Sequence, residues 1–141
     1  MPVGEHLEIL NFRSKYQYQV SSVGIELPIT ILSGARKQVS LVAKVDTGAA
    51  FCVFQREYAE QLGLYVESGL RQTFVTATGR FQAYGHNVTL SCLNHDIEST
   101  VYFAGYHDFP RNVLGLQGWL DKARFGLVHY DRSLFLSRYD D

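Results

Sequence analysis

In the stretch SLVAKVDTGAAFCVF, Ser40 to Phe54, an alternating apolar run ends on one carboxylate, Asp46, followed at once by Thr47 and Gly48. Val39, Leu41, Ala43 and Val45 recur at period two, the spacing of a strand with one face in a core. Asp-Thr-Gly can serve as a plain turn, since Asp and Thr bond local backbone and Gly accepts positive φ. That reading leaves the flanks unexplained. LVAKV before and AAFCVF after predict a buried turn, and a buried lone carboxylate is costly unless it has partners or a function.

The same periodicity organises the rest of the chain. Ile25, Leu27, Ile29 and Ile31 form a second alternating run, and Leu32 to Gln38 carries Ser-Gly and a basic pair, so the two runs read as an antiparallel hairpin. Gln55 to Leu64 suits a short helix on the outside of the fold, ended by Gly63. β-formers on both sides of Thr76 to Gly79 predict a long hairpin able to project, with Thr78-Gly79 at its tip. ESTVYFA is a further strand, RNVLGL a short apolar segment, and QGWLDKARF a helix candidate with Trp119, Leu120 and Ala123 on one face. GLVHY and SLFLS, around Asp131 to Ser133, predict a closing hairpin. Before residue 19 one strand is expected at Leu7 to Phe12, and the Tyr/Gln stretch after it can pair at a sheet edge or a subunit contact.

A chain of 141 residues suits one core, burying roughly two thirds of its unfolded surface. Its 19% charged residues sum to a formal net charge of -1 with scattered basic positions, which excludes a nucleic-acid stripe. No run approaches a membrane span and no signal-peptide order opens the chain, so a cytoplasmic location is expected. Cys52 and Cys92, in apolar alternating context, are expected as buried free thiols. The five histidines show no metal-ligand spacing, and neither a metal nor another cofactor is expected.

Asp46-Thr47-Gly48-Ala49 after an alternating strand resembles the active-site motif of the retropepsin-like aspartic proteases. NVLGL, Asn112 to Leu116, is similar to that family's apolar-apolar-Gly signature, and the segment from QGWLDKA through ARFGLVHYDRSLFLS is similar to the closing strands of its bacterial and cellular members. The hairpin at Thr76 to Gly79 stands in the place of the flap. Leu116 occupies a position where many viral members carry Arg, and the hairpin tip has one glycine. The resemblance implies an all-β, single-domain acid-protease barrel with one or two short helices, functioning as a homodimer. It divides the chain into an N-terminal extension, residues 1–19, and a protease domain, residues 20–141.

By that resemblance Asp46, Thr47 and Gly48 are the catalytic turn: Asp46 activates water, the Thr47 hydroxyl bonds across a two-fold axis, and Gly48 offers its N–H to the carboxylate. Val75, Thr76, Ala77, Thr78 and Gly79 would form the flap over an extended peptide. Ala49, Phe51, Val75, Ala77 and Val113 would help wall apolar pockets, favouring apolar residues beside the cut, and Leu114 and Gly115 would pack behind the turn. Such hydrolysis uses two carboxylates, one ionised and one protonated. The chain has a single Asp-Thr-Gly, so the second must come from another copy. Two functions stay open: a homodimeric aspartic endopeptidase acting on extended peptides, or a dimerisation or peptide-binding module with little or no turnover.

Overall fold

The computed structural model describes Gly4, residues 6–34 and residues 36–141. The alternation read at the start of the chain gives β2 (Glu26–Leu32) and β3 (Gln38–Val45), antiparallel with Ile29 opposite Leu41. Leu27, Ile29 and Ile31 face Leu41 and Ala43 in the core, while Pro28 and Val42 stay exposed on the other face. The Ser33 N–H donates to the Lys37 carbonyl at 2.9 Å to close their loop.

After β4 (Val53–Phe54) comes α1 (Arg56–Gln61), which Gly63 terminates at φ +74. Ala59 and Leu62 are its buried face, laid on the barrel wall. The expected projecting hairpin is β5 (Leu70–Thr76) and β6 (Gly79–Cys92), and its two-residue tip is Ala77-Thr78, one position before the one anticipated. Leu93 and Asn94, both at positive φ, turn β6 into β7 (His95–Ala104), the geometry of a tight two-residue hairpin.

β8 (Val113–Leu114) lies parallel to β3 and antiparallel to β4, so the sheet runs β2-β3-β8-β4-β7-β6-β5. An additional pairing of β2 with the far end of β6, Ile31 opposite Leu90, closes the first six of these strands into a barrel. β5 is left outside the ring, its strand pairing among the described residues being with β6 alone. A separate three-stranded sheet joins β1 (Ser14–Gln17), β10 (Ser133–Arg138) and β9 (Ala123–Val128), with β10 central and Leu134 and Leu136 turned into the same core as Trp119 and Tyr18.

Two expectations are corrected. Leu7 to Phe12 is not a strand: Leu7, Ile9 and Leu10 are largely exposed, and only Phe12 packs, 5.6 Å from the Phe135 ring. Strand pairing starts at Ser14, where Tyr16 and the buried Tyr18 supply apolar contacts with the core. The helix expected over QGWLDKARF reduces to one 3₁₀ turn, Leu120–Lys122, because Gly118 takes φ +103 and its N–H is bound by the Asp121 carboxylate at 3.0 Å. Trp119 then enters the core at the start of that turn, and Ala123 already belongs to β9.

Within the described residues no helix is long and apolar enough to cross a membrane. Cys52 and Cys92 are free and buried, and burial pushes both thiols up to about 12. At about pH 8 they are therefore thiols rather than thiolates, and the native protein should leave Ellman's reagent unreacted while urea-unfolded protein reduces two equivalents.

On the surface, the Arg56 guanidinium binds both Glu67 carboxylate oxygens and the Gly105 carbonyl, tying α1 to the segments around it. The hydrogen bond from Arg56 holds Glu67 below its ordinary value of 4.5, so the stabilisation is full above that value and is lost as pH falls through the lower folded one. Because Glu67 is more than half exposed the effect is screened. Acid titration of urea stability should show a shallower fall for Glu67→Gln than for the parent, and an equal fall would remove the pair from the account.

Candidate active site

Strand periodicity decides where the carboxylate points. With Leu41 and Ala43 inward, Val42, Lys44 and Asp46 share the opposite face, and β3 carries Asp46 out at one end of the barrel. The Asp46 N–H donates to the Leu114 carbonyl at 3.0 Å, and the Asp46 carbonyl accepts from Ala49 at 3.1 Å, which folds Asp46 to Ala49 into a tight turn. Gly48 donates its N–H to Asp46 Oδ1 at 2.9 Å, and a Cβ at Gly48 would stand 3.2 Å from that same oxygen. Oδ2 is 3.9 Å from Lys44 Nζ.

The turn is not buried within one chain, contrary to the expectation from its apolar flanks. The Asp46 side chain is 31% exposed, and Thr47 and Gly48 are exposed. Burial begins at Cys52, Val53 and Phe54, which return into the core; the turn itself projects beyond the barrel end.

Behind the turn the backbone of Gly115 passes against that of Ala49 to Phe51. A Cβ at Gly115 would lie 2.3 Å from the Phe51 carbonyl oxygen and 2.7 Å from that of Ala49. The chain continues in contact, Leu116 N–H to Ala49 O at 2.8 Å and Gln117 N–H to Ala50 O at 2.9 Å, while Leu114 is fully buried. Asn112 anchors the approach: its Oδ1 accepts from the Gln55 N–H, its side-chain amide donates to Gln55 Oε1, and its carbonyl accepts from the Lys44 N–H at 2.8 Å.

The structure thus brings Asp46, Thr47, Gly48 and Ala49 together with Leu114 and Gly115. Val113 is also close behind, but it is buried between β3 and β4 rather than open to a groove. Val75, Thr76, Ala77, Thr78 and Gly79 are all exposed at the hairpin end, where the Thr76 hydroxyl donates to the Gly79 carbonyl at 3.1 Å.

An aromatic cluster that sequence reasoning did not assemble connects hairpin and turn. Phe74 and Phe81 are cross-strand partners with ring centroids 5.3 Å apart. Phe51, just past the turn, meets Phe74 edge-on at 5.6 Å and Tyr102 at 5.3 Å, and Phe81 packs on Phe109 at 5.0 Å. With Ala77-Thr78 as the tip, the equal distance of Phe74 and Phe81 from it was the available signal.

Four of the five histidines are engaged elsewhere. His86 bonds the Val66 carbonyl, His95 the Ser14 hydroxyl, His129 the Tyr18 hydroxyl, and His107 faces Glu60.

The family model described as Aspartyl protease matches residues 27–117, spanning the barrel, the turn at Asp46 and the Gly115 contact. The chain belongs to the aspartyl protease family. Among solved structures, a retropepsin-like aspartic protease from Rickettsia conorii is 19% identical, aligned over 89% of this chain and 99% of that one with a TM-score of 0.64. EIAV protease complexed with the inhibitor HBY-793 is 20% identical over 64% of this chain and 79% of that one, with a TM-score of 0.49. No curated protein matches the chain. The fold is the all-β retropepsin-like barrel anticipated from the motifs, with α1 as its one α-helix among the described residues.

The close approach at Gly115 gives a direct test. Gly115→Ala forces main-chain displacement at Ala49 to Phe51 and should cost about 3 kcal/mol of stability, measured by urea unfolding. Substitution without loss would mean the turn is not held by that contact.

Proposed function

We propose that the chain is an aspartic endopeptidase working as a homodimer, with Asp46 from each subunit sharing one water. The observation that carries this reading is the Asp46 turn itself: a carboxylate with one oxygen fixed by the Gly48 N–H, presented partly exposed at the barrel end rather than enclosed inside it. Residues 20–141 are the protease domain in this reading and residues 1–19 an extension. The two free buried thiols support a reducing, cytoplasmic setting.

One carboxylate cannot both take the water's proton and donate to the substrate carbonyl. Two copies of the exposed turn, Asp46 to Gly48, meeting at a two-fold axis provide the pair and cover the surface that one chain leaves open. The Thr47 hydroxyls, exposed in a single chain, bond across that axis and hold the turns in register. Carboxylates so close do not both ionise cheaply, and the dyad keeps one proton between them. Water held between them attacks the scissile carbonyl, and the protonated partner donates to the carbonyl oxygen. The hairpin residues Val75, Thr76, Ala77, Thr78 and Gly79 close over an extended peptide through main-chain hydrogen bonds, with Ala49 beside the cut and Val113 buried behind it.

The partial exposure of Asp46 also favours a second reading. A single chain holds this carboxylate without a large burial cost, so a peptide-binding module with the same turn is physically sustainable.

Incubation with a mixed peptide library from about pH 4 to 7 separates the two. Cleavage that falls as pH rises past the loss of the shared proton, and that Asp46→Asn lowers about a thousandfold or more, is the expected result. Turnover surviving Asp46→Asn would sink the aspartic mechanism, and a folded dimer that cleaves nothing would establish the module. Light scattering should give the mass of a dimer at tens of micromolar; monomer alone would leave the dyad without a second carboxylate.

A further inference from the structure

Next to Asp46 the surface opens into a pocket of about 320 Å³ whose walls include Val42, Lys44, Pro110 and Arg111, with Glu26 at its side. Val42 and Lys44 come from the outward face of β3. Pro110 and Arg111 lead into β8 and are fixed by the bonds of Asn112 to Lys44 and Gln55. Lys44 links the pocket to the turn, its Nζ standing 3.9 Å from Asp46 Oδ2. A peptide with its scissile carbonyl at Asp46 therefore places an adjoining side chain at the mouth of this pocket.

Its wall carries two cations against one carboxylate, and one of the cations, Lys44, is already paired with Asp46. Lys44 and Arg111 are two cations, and Arg111 forms no ion pair among the described residues. Glu26 is the one carboxylate on the wall; it lies across from Lys44 in strand register, and its Oε1 accepts the Ser21 hydroxyl at 3.0 Å. Val42 and Pro110 supply apolar sides that suit the methylenes of a short acidic side chain. An apolar side chain in the same place would desolvate the Arg111 guanidinium, which has no ion pair among the described residues, without compensation.

We propose that this pocket receives a Glu or Asp side chain adjoining the scissile bond, making the enzyme selective for acidic positions rather than the apolar ones expected from Phe51, Val75, Ala77 and Val113. The inference rests on the endopeptidase reading. Two-fold symmetry then gives one such pocket on each side of the cut.

The test separates the pocket from the chemistry by using binding. Two ketomethylene peptide isosteres, which cannot be hydrolysed at the central bond, carry Glu or Gln at both flanking positions and are titrated calorimetrically into the full chain. Glu should bind about tenfold more tightly than Gln, with the ratio compressed by salt. It should fall to near unity in Lys44→Met/Arg111→Gln. Arg111→Gln alone, at an exposed position, should lower it part-way and stands in if the double variant does not fold. Equal affinities for the two peptides, no binding of either, or a ratio unchanged by the variants overturns the acidic pocket. Cleavage of the parent amides, dependent on Asp46, reports separately on the endopeptidase reading, so a protease that prefers apolar neighbours would refute the pocket alone.

Discussion

The site depends on a place where two stretches of main chain touch with no side chain between them. At Gly115 the chain passes so near the Ala49 and Phe51 carbonyls that no Cβ fits, and this contact lets the Asp46, Leu116 and Gln117 N–H groups find their acceptors. Each such bond is worth only about 1 kcal/mol net, yet together they set the turn by backbone geometry alone. The carboxylate is then aimed by Gly48 rather than by a surrounding cage of side chains. A turn held this way can be stiff and still stand half in solvent.

Much of this was legible in the sequence, since strands with one face in a core announce themselves at period two. The runs 25–31 and 39–45, the turn, the Gly115 signature and the closing hairpin all follow from residues whose local preference and global position agree. The failures have physical causes. QGWLDKARF carries a helical apolar face, but Gly118 in a left-handed conformation and the Asp121 carboxylate on its N–H stop the helix after one turn. Leu7 to Phe12 is rich in apolar residues but has no partner strand, and composition alone cannot supply one.

Apolar flanks do not make an apolar envelope, and Asp46 is partly exposed between them. The period-two rule already placed Val42, Lys44 and Asp46 on the face away from the core, and taking that rule one residue further would have put the carboxylate outside. The same step would have set Lys44 beside it. Arg111 was harder to find, because it reaches that face from a segment separated by the whole of β4 to β7 and is fixed there by Asn112.

β6 belongs to two assemblies at once. From Ala83 to Cys92 it is a stave of the barrel, backed by β7; from Gly79 to Gln82 its only strand neighbour is β5. Mechanically the hairpin is a cantilever, clamped where the Gly105 N–H binds the Gln82 carbonyl at 2.8 Å and free over the three residues beyond it, about 10 Å of strand. The rings of Phe74 and Phe81 sit on that free span and rest on Phe51 and Phe109, close to the clamp's end of the lever. Bending is therefore confined to a short ribbon pivoting on an aromatic fulcrum, and the barrel wall it grows from can stay still while the tip moves.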